Sequence, residues 1–461
     1  MTQTNTKKER IRVHPGLDFT STNAYICHML PRLNGDAPAS WICLIRDDGA
    51  IYPIPDVLSG ETEISLTHKP FTISPRWSAE SIEAFSKGEA TIAEKVQLLN
   101  ILRKDFHSYV ELPDERLNDF LSLWCIGTYF FPLFNAYPYV YVGGISASGK
   151  TKLLAVCSCF SFNAIFSANM STACIYRLIQ NSRCALFIDE TEQLSSGFRV
   201  TDFRNILLSG YKKGMHTYRN RKTKDDDFVP ESFEVYGPKM LANIEQLEDV
   251  LESRCISIIM SRGTNRAITD KEVDINDAHW QETRDLLYPF IMKNWKAIKQ
   301  TYLEIQNDTT LSNRNWELWK PILALAKFFD SNDLLNNMKK LAVEKTLESK
   351  RDDSETDEYV LVETLLSLVA NDGYYSLTQI IRGMLDHLEQ GNWLSARTVG
   401  RLLRRLGFSA RRRVRTGTEY FLKASQVKDV AKKLGISADG EVSEASEVTV
   451  TTIVQTEKTG E

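Results

Sequence analysis

The sequence predicts an α/β protein in which helices cover a parallel sheet, with further helices and a small β-rich region beside it. Three observations predict this fold. A glycine-rich loop at 144–151 joins an apolar strand to a helix. Short apolar strands alternate with helices from about 135 to 262. Near the C-terminus, two short helices precede a basic hairpin, which is typical of a winged helix-turn-helix.

The 461 residues are enough for about three domains. In the first, Asp48-Gly49 lies between two apolar runs and predicts a β-hairpin. The tail has no aromatic residue, so we expect it to be disordered. The predicted segments are a β-rich domain at 11–90, a helical segment at 91–134, an α/β core at 135–270, a helical lid at 271–350, a charged linker at 351–358, a winged helix at 359–436 and the tail at 437–461.

Composition limits the class of protein. With 43% hydrophobic and 25% charged residues, the chain is an ordinary globular sequence, and its net charge of −4 means that nucleic-acid binding requires local basic patches. The longest apolar stretch, 120–134, is too short to span a membrane, and the first ten residues lack the apolar core of a secretory signal. We therefore expect a cytoplasmic protein with no membrane partner. The eight cysteines form no C-x-x-C pair, which disfavours a zinc site or a disulfide framework.

The glycine-rich loop fits the phosphate-binding pattern G-x-x-x-x-G-K-[ST] without a mismatch. Backbone N–H groups of such a loop surround phosphates, while Lys150 is expected to reach the β- and γ-phosphates and the Thr151 hydroxyl to bind Mg²⁺. The alternative is a glycine-rich turn with a surface lysine, but the flanking strand and helix favour a nucleotide site. ATP and Mg²⁺ are the predicted cofactors. The motif consists of Gly144, Ile145, Ser146, Ala147, Ser148, Gly149, Lys150 and Thr151.

A second apolar strand, 184–188, ends in two adjacent acids, Asp189 and Glu190. Asp189 is expected to hold Mg²⁺, mainly through water, and Glu190 to orient and activate the attacking water. The alternative is an acidic helix N-terminus that the helix dipole favours. The phosphate loop upstream favours the catalytic interpretation.

Two further polar residues complete the predicted site. Asn243 follows the strand 239–242 and is expected to sense the γ-phosphate, a role for which Lys239 is the alternative. Arg254 lies between a helix end and a strand, where it can reach the nucleotide of a neighbouring subunit and raise the hydrolysis rate by about 10³–10⁵. Otherwise it is a surface arginine paired with nearby acids such as Glu252.

This set, in this order, resembles the AAA+ ATPases, and in particular the minichromosome-maintenance-like helicases carried by phages, plasmids and other mobile elements. The resemblance covers roughly 105–425 and rests also on the segments 134–138, 171–177, 236–243, 251–254 and 313–321. It implies a ring, usually a hexamer, with each nucleotide at a subunit interface. It also implies that Arg314, at the start of the lid helix, contacts the γ-phosphate. The N-terminal region departs from the family because it has no cysteine-based zinc ribbon.

Two basic segments are candidates for contact with DNA. The first, 215–229, predicts two short strands with a basic tip, and helicases of this class carry such a hairpin in the ring pore. A threaded single strand would place phosphates near Arg219, Arg221, Lys222 and Lys224. The alternative is a solvated loop whose lysines pair with the acids at 225–227.

The second basic segment is the predicted winged helix, where 395–422 carries eight arginines and one acid, Glu419. We expect this face to follow the phosphates of duplex DNA while a helix enters the major groove. A winged helix that is structural or binds a protein is the alternative. The arginines are Arg397, Arg401, Arg404, Arg405, Arg411, Arg412, Arg413 and Arg415.

Together these features predict an ATP-dependent DNA helicase or translocase that serves in the replication of a mobile element or virus. The expected partners are DNA, further copies of the chain in a ring, and a primase or replication initiator. One alternative is an AAA+ origin-binding initiator or loader that does not unwind DNA processively. Another is a DNA-binding regulator whose ATPase module only controls its oligomeric state.

Overall fold

The structure, a computed structural model, divides into two compact units, residues 1–345 and 346–461. The residues that it describes are 10–32, 39–70, 76–167, 170–189, 198–223, 227–243, 249–311, 313–329, 332–354, 357–387, 395–415, 417–434 and 436.

The strands of the described residues are β1 (Ile11–Val13), β2 (Asp18–Phe19), β3 (Ala24–Arg32), β4 (Ala39–Arg46), β5 (Ile51–Pro53), β6 (Ile64–Leu66), β7 (Tyr139–Gly144), β8 (Ile165–Ser167), β9 (Leu186–Ile188), β10 (His216–Lys222), β11 (Phe228–Glu234), β12 (Lys239–Ala242), β13 (Cys255–Met260), β14 (Gly373–Ser376), β15 (Arg411–Val414) and β16 (Gly417–Leu422).

The α-helices of the described residues are α1 (Ile54–Ser59), α2 (Ala79–Lys87), α3 (Lys95–Tyr109), α4 (Arg116–Gly127), α5 (Lys150–Phe160), α6 (Thr172–Ser182), α7 (Phe198–Ser209), α8 (Asp249–Glu252), α9 (Arg266–Thr269), α10 (Ala278–Glu304), α11 (Asn313–Phe328), α12 (Asn332–Ser354), α13 (Asp357–Leu368), α14 (Leu377–His387), α15 (Ala396–Arg405) and α16 (Ala424–Leu434).

The centre of the first unit is a five-stranded parallel sheet in the order β13-β7-β12-β9-β8. Its strands are short and apolar, and β7 and β12 are buried on both faces, as parallel strands between helical layers must be. The predicted α/β class with a parallel sheet is therefore confirmed. The order is not the chain order, because β12 lies between β7 and β9 and separates the strand of the glycine-rich loop from the strand of Asp189.

The N-terminal strands pack onto the same hydrophobic core as the central sheet. Strands β2 to β5 form an antiparallel meander, with the predicted hairpin at Gly49 in the left-handed conformation. The Trp77 ring stacks on Tyr288 of α10, with centroids 4.9 Å apart, and the indole of Trp295 donates to the Asp47 carboxylate. These contacts join the N-terminal region, and through Asp47 the meander, to α10 within one unit.

Long helices follow the sheet where the lid is predicted. Helix α10 has Pro289 in its interior, and α11 buries one face that includes Trp319 and Leu323. Helix α12 continues to Ser354, so the first residues of the predicted charged linker are helical.

The second unit combines short helices with a three-stranded antiparallel sheet in the order β14-β16-β15. Apolar residues such as Leu361, Ile380, Leu403 and Leu422 form its core. Ser395 immediately precedes α15, and its hydroxyl accepts a hydrogen bond from the N–H of Thr398. None of the described helices is long and apolar enough to cross a membrane.

Candidate functional site

The predicted phosphate loop, Asp189 and Asn243 meet at the carboxyl edge of the central sheet. The register sets Val142 of β7 opposite Ala242 of β12, and Leu241 of β12 opposite Ile188 of β9. The residues that follow these strands therefore emerge side by side. In open α/β sheets, ligands bind in the crevice outside the carboxyl ends of the strands, where neighbouring strands connect in opposite directions. Strand β7 connects towards β8 and β12 towards β13, so this edge meets that condition.

The phosphate loop has a backbone that only small residues accept. Gly144 has φ +134°, and a Cβ there would lie 2.2 Å from the backbone oxygen of Met260 on the adjacent strand β13. Gly149 has φ +88° and immediately precedes α5. Ala147 also lies in the left-handed region, at φ +62°. These turns pass the chain closely around the N-terminus of α5, whose orphan N–H groups favour anions.

The donors of the loop are available to an anion. Lys150 Nζ donates to the carbonyls of Gly144 and Ile145 at 2.7 and 2.9 Å, so its ammonium group already lies at the loop. Among the described residues, none accepts a hydrogen bond from the backbone N–H of Ser146, Ala147 or Ser148. The Ser148 hydroxyl is buried and has no partner among them either. The cradle therefore fits a phosphate group.

Thr151 and Asp189 touch across the sheet edge. Thr151 Oγ1 donates to Asp189 Oδ2 at 2.6 Å, although 38 positions separate the two residues in the chain. A hydroxyl and a carboxylate oxygen are hard ligands of the kind that Mg²⁺ takes alongside phosphate oxygens. The pair therefore fits the predicted metal role. Glu190, the predicted water-activating residue, lies outside the described residues.

Asn243 and Lys239 lie at opposite ends of β12. The Asn243 N–H donates to the carbonyl of Val142 at 3.2 Å, which places this residue beside the last residues of β7. Lys239 begins the strand at the amino edge and is fully buried. The alternative in which Lys239 replaces Asn243 as the sensing residue is therefore wrong, because the strand carries it away from the phosphate loop.

The environment of Lys239 shows a structural role. Its Nζ faces the carbonyls of Val235, Gly237 and Gly210 at 3.0, 3.1 and 3.4 Å. Burial lowers the pKa of Lys239 to about 7. The side chain thus ties together the turns that precede β12.

Arg254 and Arg314 come together at the amino edge of the sheet. The Arg254 carbonyl accepts from the N–H of Tyr139, the first residue of β7, whereas the phosphate loop follows the last. A six-residue strand spans about 20 Å, so Arg254 lies far from the phosphate loop of its own chain. Its guanidinium carbon is 5.2 Å from the Tyr211 ring centroid, and that of Arg314 is 5.9 Å from the same centroid.

These two arginines are held by neutral groups. Arg254 Nε donates to the carbonyl of Leu208 at 2.9 Å, and Arg314 Nη1 donates to Ser253 Oγ at 2.6 Å. Glu317, one turn after Arg314, pairs instead with Lys212 at 2.7 Å. Burial, with Arg314 nearby, lowers the pKa of Arg254. Among the described residues no carboxylate forms an ion pair with either arginine, so the alternative in which Arg254 pairs with Glu252 finds no support.

The sequence interpretation missed Arg262 at the phosphate loop. Arg262 follows β13 by two residues, and its Nε donates to the carbonyl of Ser146 at 3.4 Å. The position of Arg262 after an apolar strand was visible in the sequence. The sequence did not indicate that this strand, β13, lies next to β7 and its phosphate loop. A cation at this point adds positive charge to the loop.

The predicted basic hairpin is present as β10 paired antiparallel with β11. Its basic residues differ in their surroundings. Arg219 Nη2 lies 3.3 Å from Asp202 of α7, and its guanidinium lies over Tyr176 of α6. Arg221 and Lys222 are exposed near the end of the hairpin, and Lys224 lies outside the described residues.

The arginines of the second unit are also of two kinds. Arg405 pairs with Glu358 and Arg412 with Glu419, at 2.7 and 2.8 Å. Arg404 donates to the carbonyl of Gly400 but stays exposed. Five more of the arginines predicted to contact DNA are exposed, and no carboxylate in the part of the chain that the structure describes forms an ion pair with them. They are Arg397, Arg401, Arg411, Arg413 and Arg415.

No protein-family model and no curated protein matches the chain. A solved structure titled "SCCmec type IV Cch - active helicase" is similar over 89% of this chain and 80% of its own, with 12% identity and a TM-score of 0.43. The structure of the C-terminal region of NrS-1 is similar over 83% of this chain and 94% of its own, with 12% identity and a TM-score of 0.34. The structure of Drosophila ORC bound to DNA is similar over 82% of this chain and 98% of its own, with 10% identity and a TM-score of 0.19. Scores this low establish neither a common fold nor a function, so the site geometry carries the functional argument.

Proposed function

We propose that this chain is an ATP hydrolase of the AAA+ class that moves along DNA and unwinds it. The observation that carries the proposal is the hydrogen bond of 2.6 Å between Thr151 Oγ1 and Asp189 Oδ2. It brings the end of a phosphate-binding loop to the acidic end of a second strand. That is the arrangement needed to hold Mg²⁺ against a bound triphosphate.

The residues have separable roles in this proposal. The loop amides and Lys150 bind and orient the phosphates, exchanging the contacts of Lys150 with Gly144 and Ile145 for phosphate oxygens. Thr151 and Asp189 hold Mg²⁺, which neutralises the charge that develops on the phosphates. Asn243 positions the water, and Glu190 accepts its proton.

Hydrolysis in this proposal needs a second copy of the chain. Arg254 and Arg314 lie at the amino edge of the sheet, and the phosphate loop lies at the carboxyl edge. A head-to-tail contact sets one edge against the other and closes into a ring when its rotation allows. Two arginines without carboxylate partners among the described residues are suited to the negative charge of a neighbour's transition state. We propose a hexamer, as the resemblance implies.

DNA would be contacted at two places. We propose that the exposed cations of β10–β11 touch a single strand. The exposed arginines of the second unit that have no carboxylate partner among the described residues are proposed to touch a duplex. On the resemblance alone, the biological role is replication of a mobile element or virus, with a primase or initiator as a further partner.

The deciding experiment measures ATP turnover and strand displacement on a forked duplex with the purified chain. We expect wild-type protein to hydrolyse ATP faster when DNA is present and to release the displaced strand. Lys150→Ala should abolish both activities. Lys152→Ala, two residues later in α5, serves as the matched control. Turnover that persists in Lys150→Ala contradicts the proposed site.

An initiator or loader is the second candidate, and the arginines of α15 favour it because they suit duplex binding. This candidate predicts DNA-stimulated hydrolysis with no displaced strand. Strand displacement decides between the two functions.

A further inference from the structure

The hairpin β10–β11 has two chemically different faces. Side chains alternate along a strand, and directly opposed residues share a face. The inward face carries Thr217, Arg219 and Phe233, which are buried or partly buried. Phe233 packs against Tyr176 of α6, with ring centroids 4.3 Å apart, and Arg219 pairs with Asp202. These contacts fix the hairpin onto α6 and α7.

The outward face carries two large aromatic side chains in solvent. Tyr218 is 64% exposed and Phe228 is 61% exposed. Tyr218 opposes Ser232 and Phe228 opposes Lys222, so both rings lie on the same face of the hairpin. Exposing an aromatic ring forgoes the free energy that its burial would contribute, which makes two on one anchored hairpin a sign of a binding surface.

The surroundings of the rings indicate the partner. Four positions along the strand separate the levels of Tyr218 and Phe228, which is about 14 Å at 3.4 Å per residue. Asn220 and Pro230 lie between the two rings on this face, and Lys222 directly opposes Phe228. Two separated rings with a lysine beside one of them suit single-stranded DNA, because bases can stack on the rings while the lysine contacts the backbone. A protein partner would instead favour a continuous apolar patch.

We propose that the outward face of this hairpin stacks the bases of single-stranded DNA on Tyr218 and Phe228, about four nucleotides apart at 3.4 Å per nucleotide. This inference rests on the proposed translocase function and extends it. Arg219 becomes a positioning residue for the hairpin, while Lys222, on the same face as the two rings, contacts a phosphate. The strand is gripped through its bases as well as its backbone.

The test compares two oligonucleotides with equal numbers of phosphates, one of oligo-dT and one fully abasic. Fluorescence anisotropy is measured with the full chain and a non-hydrolysable ATP analogue. We expect Tyr218→Ala/Phe228→Ala to bind oligo-dT about a hundredfold more weakly, about tenfold for each ring. Binding of the abasic strand should not change, and the salt dependence of oligo-dT binding should stay the same because no charge is lost.

The controls separate stacking from other roles. Tyr218→Trp/Phe228→Trp keeps the rings and should retain oligo-dT affinity. Leu303→Ala removes a side chain that is 63% exposed on α10 and should have no effect. Equal losses on both oligonucleotides, or no loss, would overturn the inference.

Two further outcomes would contradict the inference that this face of the hairpin stacks bases. If the alanine variant binds both strands normally but its mass in solution falls, the face is a contact between copies of the chain. If wild-type protein binds neither strand, the proposed DNA function fails together with this inference.

Discussion

Single contacts determine what the candidate site can do. The hydroxyl of Thr151 meets the carboxylate of Asp189, and the ammonium group of Lys150 lies on the loop carbonyls. Each pairing places a group that phosphate or Mg²⁺ prefers at the carboxyl edge of the sheet. These three side chains therefore define the chemistry expected at this edge of the sheet.

Replacing Thr151 by valine tests the metal role, because valine keeps the shape and loses the hydroxyl. We expect Thr151→Val to lower ATP turnover about a hundredfold, since one proposed Mg²⁺ ligand and the hydrogen bond to Asp189 are both lost. Thr151→Ser keeps the hydroxyl and should stay within a few fold of wild type. Turnover at increasing Mg²⁺ concentrations measures the effect, and equal behaviour of the two variants would contradict it.

His14 gives a residue-scale prediction about pH. Its Nδ1 accepts from the N–H of Gly16 at 3.0 Å, so Nε2 carries the proton and donates to the carbonyl of Gln180 at 2.6 Å. Burial, with Arg183 and His68 nearby, lowers the pKa of His14 to about 2. Between that value and 6.5 the unfolded chain binds a proton that the folded chain does not. The free energy of unfolding should therefore fall as the pH is lowered below 6.5, by up to about 1.4 kcal/mol per pH unit.

Urea denaturation of wild type and His14→Gln at several pH values from 5 to 7.5 measures this effect. The variant has no titrating ring, so its free energy of unfolding should depend less on pH. Parallel curves for the two proteins would show that His14 does not contribute.

At the scale of elements, the apolar and the basic residues of α15 lie on different faces of the helix, because each set recurs with the helical period. Val399, Leu402 and Leu403 are buried in the second unit. Arg397, Arg401 and Arg404 recur at intervals of four and three residues, so they form one exposed stripe. Arg405 lies beside this stripe but is paired with Glu358. The stripe is thus the part of the helix that is suited to DNA phosphates.

Neutralising the stripe should weaken duplex binding and its salt dependence. For Arg397→Gln/Arg401→Gln/Arg404→Gln, we expect the slope of log affinity against log salt to become shallower by about 2.7, at about 0.9 per phosphate contact. Arg405→Gln is the matched control, because its charge already has a carboxylate partner, and its slope should change little. Titrations of duplex DNA at several salt concentrations measure both, and an unchanged slope in the triple variant would remove α15 from the interface.

At the scale of the whole molecule, the two edges of the central sheet have different chemistry. The phosphate loop lies at the carboxyl edge and Arg254 at the amino edge, about 20 Å apart along β7. One copy therefore offers half of the proposed site at each edge. A ring of copies completes as many sites as it has interfaces.

Mixing two inactive variants tests this arrangement. Arg254→Ala keeps the phosphate loop, and Glu190→Gln keeps the arginine, so a mixed ring contains some interfaces with both groups intact. At equal mixing and random assembly we expect about a quarter of the interfaces to be complete, and turnover to recover in proportion. A mixture of Arg254→Ala with Lys150→Ala should recover ATP turnover to the same extent. No recovery in a mixture that forms mixed oligomers by mass would show that Arg254 does not act between copies.

Local sequence predicted much of this arrangement. The phosphate loop, the strands beside it, the basic hairpin and the arginine-rich helix follow from residue type and short-range periodicity, which act over a few residues. The two faces of the hairpin follow from strand alternation once the register of β10 and β11 is known. The register was not predictable, because the tip of the hairpin carries no turn signature that sets it.

By itself, then, the sequence determined the elements and the residue types available for chemistry. Only the tertiary structure decided that β12 lies between β7 and β9, which brings Asn243 to the loop and buries Lys239 at the other edge. It alone placed Arg262 on the loop carbonyl and gathered Arg254 and Arg314 around Tyr211. The physical reason is that strand order and side-chain contacts depend on packing between residues far apart in the chain, which local propensities do not encode.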